Sequence, residues 1–415
     1  MTPAGGRPGL FEAFGVEIET MIVDAGTLDV KPVCDRLLEA VAGEPAAEVE
    51  LGDVAWSNEL TLHVLELKTN GPAPSLQGLA GRFHESVSRA AGEAAKLGAR
   101  LMPGAMHPWM DPHAETRIWP HEYTEVYHAF DRIFGCAGHG WSNLQSTHVN
   151  LPFADDAEFA LLHAAVRLVL PLVPALAAAS PFQDGRRSAA LDGRLVAYRE
   201  NARRVPSVTG SVVPEPVSSR EQYEREILGR IYADLAPHDP EGVLRHEWVN
   251  ARGAIARFDR GTIEIRVIDA QECPTADLAV VAAVAGVVRS LAIGRLSGRR
   301  VERDPATEAL AHLLEAAARE GDLAVVDDRA FLLALGAPDR PTTLRDLWAR
   351  LLDAEPPDDP EREWTRALQI ILDEGPLARR MLRCAGAEPG RRELERVARA
   401  LCDCLATNQP LRAGA

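Results

Sequence analysis

The sequence predicts an α+β protein in which strands and helices interleave over residues 1–300 and a helical extension occupies 301–415. Three observations predict it. Four strand-like segments carry charged or polar residues on one face and aliphatic residues on the other, as the two-residue alternation of a strand requires. Amphipathic helical patterns lie between them, and beyond about residue 300 Leu- and Ala-rich helical patterns continue without a strand of comparable strength.

The first strand is Phe14-Gly15-Val16-Glu17-Ile18-Glu19-Thr20-Met21-Ile22-Val23. Glu17 and Glu19 share one face while Val16, Ile18 and Ile22 take the other. Two neighbouring carboxylates repel each other unless a cation sits between them, which makes the pair a candidate divalent-metal site. Alone, the same pair suits an ordinary half-solvated strand.

Cys34–Val41 reads as a helix led by Pro32, and Ser75 as the cap of a longer one with Leu76, Leu79, Phe83 and Val87 on its apolar stripe. Between them runs Asn58–Thr69, a second acidic strand. Its Glu59 and Glu66 are seven apart and would face opposite ways on a regular strand, so either a bulge or turn brings them together or only one reaches the site. Pairing of Glu66 with Lys68 is the plain structural alternative. Met106-His107-Pro108-Trp109 is a loop that offers His107 to a substrate.

The third strand, Ser146–Pro152, follows Gly138-His139-Gly140-Trp141 and puts His148 and Asn150 on one face, an imidazole ligand beside an amide. Helices are predicted at 155–179, 219–236 and 275–292. The intervening loop supplies cations: Arg186 and Arg187, then Tyr198-Arg199, with Arg203 and Arg204 beyond. Guanidinium groups bind carboxylate or phosphate bidentately, although Arg187, Arg203 and Arg204 read better as a solvated basic loop. The fourth strand is Gly261–Asp269. Ile263, Ile265 and Val267 fill one face, and Thr262, Glu264 and Arg266 project from the other.

The extension from Pro305 onward is broken by Gly321, Gly336, Pro356-Pro357 and Gly375-Pro376. It either packs on the first region or serves assembly into a homo-oligomer.

Composition limits the function. A formal net charge of −16 and a pI near 5.3 argue against a nucleic-acid binder or an anionic-membrane binder, so an anionic substrate would need local positive charge. Met1–Gly9 has no apolar stretch of a secretory signal, which makes a cytoplasmic address the expectation. The most apolar segments, Ala160–Ala179 and Leu278–Val288, are interrupted or ended by charged residues or proline and are not clean membrane spans. Six scattered cysteines show no paired ligand spacing and read as mostly buried thiols. If the four polar faces converge, they form an oxygen-rich pocket suited to magnesium or manganese. No GxxxxGK[ST] loop is present, so any nucleotide would be held through metals and arginines.

In order and number, these segments resemble the glutamate-cysteine ligase family, in particular its bacterial carboxylate-amine ligase branch. The matching elements are Gly15–Glu19, Glu59–Thr69, Met106-His107-Pro108, Thr147–Asn150, Ser180-Pro181-Phe182 with Gly185-Arg186 and Tyr198-Arg199, and Ile263–Val267, over roughly residues 10–295. The resemblance implies a glutamine-synthetase-like fold, with a curved, mainly antiparallel sheet forming a funnel and helices outside it. It also implies an ATP-dependent ligase domain over 1–300 that uses ATP with Mg2+ or Mn2+. Glu17, Glu19, Glu59, Glu66, His148 and Glu264 look like metal and nucleotide-phosphate ligands, and Arg266 like the phosphate-stabilising arginine beside catalytic Glu264. Arg186, Tyr198, Arg199, Asn150 and His107 look like substrate contacts.

The implied reaction joins a small carboxylate, glutamate above all, to a small amine through an acyl phosphate. Ile18 and Thr20-Met21 depart from the branch's more acidic or aromatic first motif, which leaves substrate identity open. Alternatives are a phosphotransferase of related fold acting on a nitrogen acceptor and a non-catalytic nucleotide-binding paralogue.

Overall fold

The structure is a computed structural model that describes residues 7–296 and 305–412. Its centre is one antiparallel sheet. The strands are β1 (Gly15–Asp24), β2 (Glu48–Leu51), β3 (Val54–Asn58), β4 (Val64–Thr69), β5 (Ala99–Met102), β6 (Ser146–Pro152), β9 (Ala254–Arg257) and β10 (Thr262–Asp269), where β7 (Phe182–Gln183) and β8 (Arg186–Arg187) form a separate small hairpin. Their order is β2-β3-β4-β1-β6-β10-β9, and β5 pairs with the far end of β1 beyond the β6 ladder, on the edge opposite β4.

The alternation read from the sequence sets the layers. Val16, Ile18 and Ile22 join Leu65, Leu67, Val149, Leu151, Ile263 and Ile265 in one buried cluster with Phe83, Val87, Leu162, Val166 and the helix Pro274–Ala292. That helix is long and apolar enough to cross a membrane by length and composition, yet 83% of its apolar window is buried. It packs between Leu79–Lys96, Asp156–Val169 and Glu363–Glu374 and serves as the central core helix.

Several predicted boundaries moved for local reasons. The helix expected from Ser75 starts at Leu79 behind Gly78, which has a φ of 74°; the Ser75 hydroxyl instead accepts from the Gln77 amide, closing a turn one step earlier. The stretch 155–179 splits into Asp156–Val169, a short 3-10 turn and Pro174–Ala177, as Pro171 and Pro174 dictate. The 219–236 helix runs continuously but contains a π-turn at Glu224–Leu228.

Residues 307–411 pack against the sheet region. Leu310, Leu314, Trp348, Trp364 and Leu368 belong to the same buried cluster as the sheet, and the Trp348 indole donates to the Leu172 carbonyl at 2.8 Å. The two-residue strands β11 (Val325–Val326) and β12 (Thr342–Thr343) pair within this part. A buried ion pair fastens it further, with Arg380 bonded to both Glu272 and the Leu411 carbonyl. All six cysteines are free, and four of them, Cys34, Cys136, Cys273 and Cys402, are buried.

Candidate active site

Strand register brings the polar residues together. Glu17 lies opposite both Lys68 and His148, Glu19 opposite Glu66, Glu66 opposite Ser57, and Asn150 opposite Gly15 and Glu264. Residues directly opposite on an antiparallel ladder share a face, so one continuous polar surface runs across β3, β4, β1, β6 and β10.

Glu59 resolves its parity by leaving the strand. The segment predicted as one strand is β3, a turn over 59–63, and β4, and the turn folds the Glu59 carboxylate back over Glu66. Two clusters of oxygen and nitrogen donors result: Glu17, His148 and Glu264, and Glu19, Glu59 and Glu66, each with ligand atoms within 4.8 Å of one another. The Glu66–Lys68 contact exists as well, at 3.5 Å, while the Lys68 ammonium lies nearer Glu48 at 2.7 Å.

Electrostatics separate the clusters. Burial, together with the charges of Glu66 and Glu19, raises Glu59 well above the usual carboxylate range. Burial and the Glu17 charge push Glu66 to about 7, against the help of Lys68 and the Ser57 hydroxyl bond at 2.6 Å. Carboxylates crowded until they hold protons are stabilised by a divalent cation, and hard oxygen donors suit magnesium or manganese, so the donor set fits such an ion. Glu17 behaves differently. Burial alone would raise it, but the His148 bond at 3.1 Å and the charges of His148 and Arg260 hold it at about 2. His148 is raised in return, the Glu17 bond and Glu19 outweighing burial; its other nitrogen meets the Ser146 hydroxyl at 2.9 Å.

Glu264 is bracketed by two arginines. Arg266 approaches it at 3.0 Å and Arg257 at 3.3 Å. The β6–β10 register shifts by one residue between Ile265 and Ile268, so Arg266 and Val267 together lie opposite His148. This bulge puts Asp269 opposite Ser146, on the polar face, where strict alternation from Glu264 would have put Ile268. Asp269 then anchors the loop above: it accepts from the Ala179 amide at 2.7 Å and the Ser180 hydroxyl at 2.8 Å, and it pairs with buried Arg194.

Beside the polar face lies a cavity of about 220 Å3. Glu19, Glu59, Ser146, His148, Arg194, Tyr198 and Arg266 line its polar side; Tyr127, Phe130, Trp141 and Trp248 are among the residues of its apolar side. The helix Gly193–Arg199 supplies Arg194 and Tyr198, four residues apart and hence on one helical face. The Tyr198 hydroxyl is buried without a hydrogen-bond partner.

The structure does not bring every sequence-predicted residue here. Glu17, Glu19, Glu59, Glu66, His148, Asn150, Glu264 and Arg266 converge, with the Asn150 amide donating to Glu17 at 3.2 Å, and Tyr198 reaches the cavity. Arg199 turns outward to Glu315 at 3.1 Å. Arg186 is exposed at the tip hairpin. His107 is fully buried elsewhere, its ring 2.8 Å from the Leu28 carbonyl, and burial pushes it down to about 4 despite that bond. These three correct the expectation of substrate contacts at this cavity.

Sequence reasoning missed Arg194, Asp269, Arg257 and the aromatic wall. The helical spacing of Arg194 and Tyr198 was the available signal for the first. Gly140 was a signal for the wall: a side chain there would meet the Ala197 carbonyl at 2.7 Å, so the glycine lets the turn bearing Trp141 sit against the Arg194 helix.

Comparison with known proteins gives this geometry a family. Residues 13–400 match the family model of glutamate-cysteine ligase family 2. A protein of Archaeoglobus fulgidus named "Uncharacterized protein" is 32% identical over 380 residues, covering 91% of this chain and 94% of the relative. "Putative glutamate--cysteine ligase 2" of Salinispora arenicola is 30% identical over 295 residues, 70% of this chain and 68% of the relative. In fold, the crystal structure of glutamate–cysteine ligase from Francisella tularensis in complex with AMP superposes with a TM-score of 0.61 at 12% identity, over 97% of this chain and 90% of that one. The match reaches well past residue 300, so the family model takes in most of the helical extension. The chain belongs to the glutamate-cysteine ligase family, with the mixed α/β, antiparallel-sheet fold of its structural neighbour.

Proposed function

We propose that this protein is an ATP-dependent carboxylate–amine ligase that activates a carboxylate, the γ-carboxylate of glutamate in the first instance, as an acyl phosphate and passes it to an amine. The observation that carries the reading is the pair of acidic clusters on one sheet face with Arg266 beside Glu264. Glu17, His148 and Glu264, with Glu19, Glu59 and Glu66, would hold magnesium or manganese, whose charge offsets the repulsion between a carboxylate and the ATP phosphates.

This chain's own groups do the rest. Lys68, opposite Glu17 on the neighbouring strand, with Arg257 and Arg260 flanks the Glu17–Glu264 end of the face and gives it the positive charge a polyphosphate needs. Arg266 stands where charge develops as the phosphoryl group moves, and its position beside Glu264 fixes it there before reaction. Tyr198 and Arg194 orient the carboxylate substrate within the cavity. With substrates filling the cavity, its aromatic wall would shield an acyl phosphate from hydrolysis. No nucleophilic side chain is required.

The test is incubation with ATP, Mg2+, glutamate and a panel of amines, following ADP and new amides by mass spectrometry. Amide formed stoichiometrically with ADP supports the ligase. A phosphorylated amine with no amide would establish the phosphotransferase alternative instead, and no ADP under any combination would leave only the non-catalytic paralogue.

A further inference from the structure

The polar face has two unlike ends. Toward the start of β1, Glu17 and Glu264 sit among the cations Lys68, Arg257 and Arg260, which match a polyphosphate. At the other side, Glu19, Glu59 and Arg266 border the cavity, whose far wall is aromatic. The phosphates therefore belong to the first end, the carboxylate to the middle beside Arg266, and the attacking amine to the walled end.

That wall is built rigidly. The Trp141 indole donates to the Asn201 carbonyl at 2.9 Å, and the Asn201 amide returns a bond to the Gly140 carbonyl at 3.2 Å. Phe130 packs on Trp141 with ring centroids 5.2 Å apart and on Trp248 at 6.0 Å. Trp248 is backed by His246, stacked at 5.3 Å and 12°. Each of these aromatic side chains is only half-buried, so each keeps a face for a ligand. A small polar amine would leave this surface wet and gain nothing from it; a ring would bury apolar area and stack.

We propose that the amine acceptor of this ligase carries an aromatic ring, which docks against Trp141, Phe130 and Trp248 and presents its amino group toward Arg266 and the activated carboxylate. This rests on the ligase reading above. In the step itself the amine nitrogen forms a bond to the acyl carbon, the carbon–oxygen bond to phosphate breaks, and the amine loses a proton to solvent as inorganic phosphate departs. The acyl phosphate supplies the leaving group, and no oxidant or reductant is involved.

The experiment compares 2-phenylethylamine, tyramine and phenylalanine with methylamine, alanine and cysteine as acceptors, with ATP, Mg2+ and glutamate. Aromatic amines should exceed the small ones in kcat/KM by about tenfold or more, the scale at which an apolar pocket discriminates. Trp248→Ala, and the milder Phe130→Leu in case the first fails to fold, should raise the KM for the aromatic amine about tenfold with the KM for ATP unchanged. Equal or better use of cysteine or methylamine overturns the proposal and leaves the ligase standing. So does a Trp248→Ala variant in which the ATP KM rises instead, since adenine would then occupy the wall. If no amide forms with any amine, the ligase reading falls, and calorimetry of 2-phenylethylamine with wild type and Trp248→Ala decides the wall: binding weakened tenfold by the variant supports an aromatic ligand, and no binding overturns it.

Discussion

At the scale of single residues, the site is held apart from an ordinary polar patch by crowding. Burial and neighbouring carboxylates, Glu66 and Glu19 acting on Glu59 and Glu17 and Glu19 acting on Glu66, force both groups toward their protonated forms, so a divalent ion should stabilise the folded chain. Thermal denaturation with and without millimolar Mg2+ should show a higher Tm with the ion, and Glu66→Gln should shrink that difference; an unchanged response would remove this cluster from the metal site. Glu264→Gln and Arg266→Ala should each lower kcat by about 10²–10³-fold, the usual cost of losing a group that meets developing charge. Their circular dichroism should match wild type, and full activity in both would dismiss the proposed centre. Residue identities were the most legible layer of the sequence. Glu17, Glu19, Glu66, His148 and Glu264 could be paired by alternation, whereas His107 looked like a contact only because a histidine next to proline and tryptophan is ambiguous until its burial is known.

At the scale of elements, β10 shows why alternation alone is insufficient. Its bulge seats the extra residue, Val267, against Gly253, where an added Cβ would stand 2.5 Å from the Val267 side chain. Gly253 also accepts from the Arg266 amide at 2.8 Å and donates to the Val212 carbonyl at 2.7 Å. Gly253→Ala should therefore destabilise the fold by about 1–3 kcal/mol in urea denaturation and lower kcat at once, because the forced shift falls on Arg266. A neutral result in both measurements would contradict the fit. Such a notch has no signature in hydrophobic pattern, and neither does the turn that carries Glu59 back over Glu66. Both depend on hydrogen bonds between segments distant in sequence, which is why strand faces were readable and strand ends were not.

At the scale of the whole molecule, several titratable groups are buried for shape rather than chemistry. Burial pushes His63 and His107 down to about 4 and His163 to about 3. Unfolded histidines titrate near 6.5, so below that pH the unfolded chain binds more protons and stability falls as pH falls, down to about pH 3–4. His163, packed against Phe159 and Tyr223 with neither ring nitrogen bonded, is the clearest case. His163→Leu should reduce the slope of unfolding free energy between pH 6 and 4 by up to about 1.4 kcal/mol per pH unit, read from urea midpoints; an unaltered slope would assign the acid sensitivity elsewhere. The buried Arg380–Glu272 pair is the second such element. Arg380→Ala should cost about 3–5 kcal/mol, since Glu272 would remain buried without its cation. The change in composition near residue 300 was legible, and packing of the extension on the first region was one of two expectations, but nothing in the pattern decided between that packing, which the shared core shows, and assembly.

That shared core changes how the helix Pro274–Ala292 meets the cell. Covered by Glu363–Glu374 on one side it is an interior helix, but in a chain cut at residue 300 that side would be uncovered while Leu79–Lys96 and Asp156–Val169 stay packed on it, exposing part of a helix long and apolar enough to span a membrane by length and composition. A fragment ending there should sediment with membranes or aggregate on expression while the full chain does not. A monodisperse fragment in the supernatant would show that the first 300 residues can shield the helix unaided.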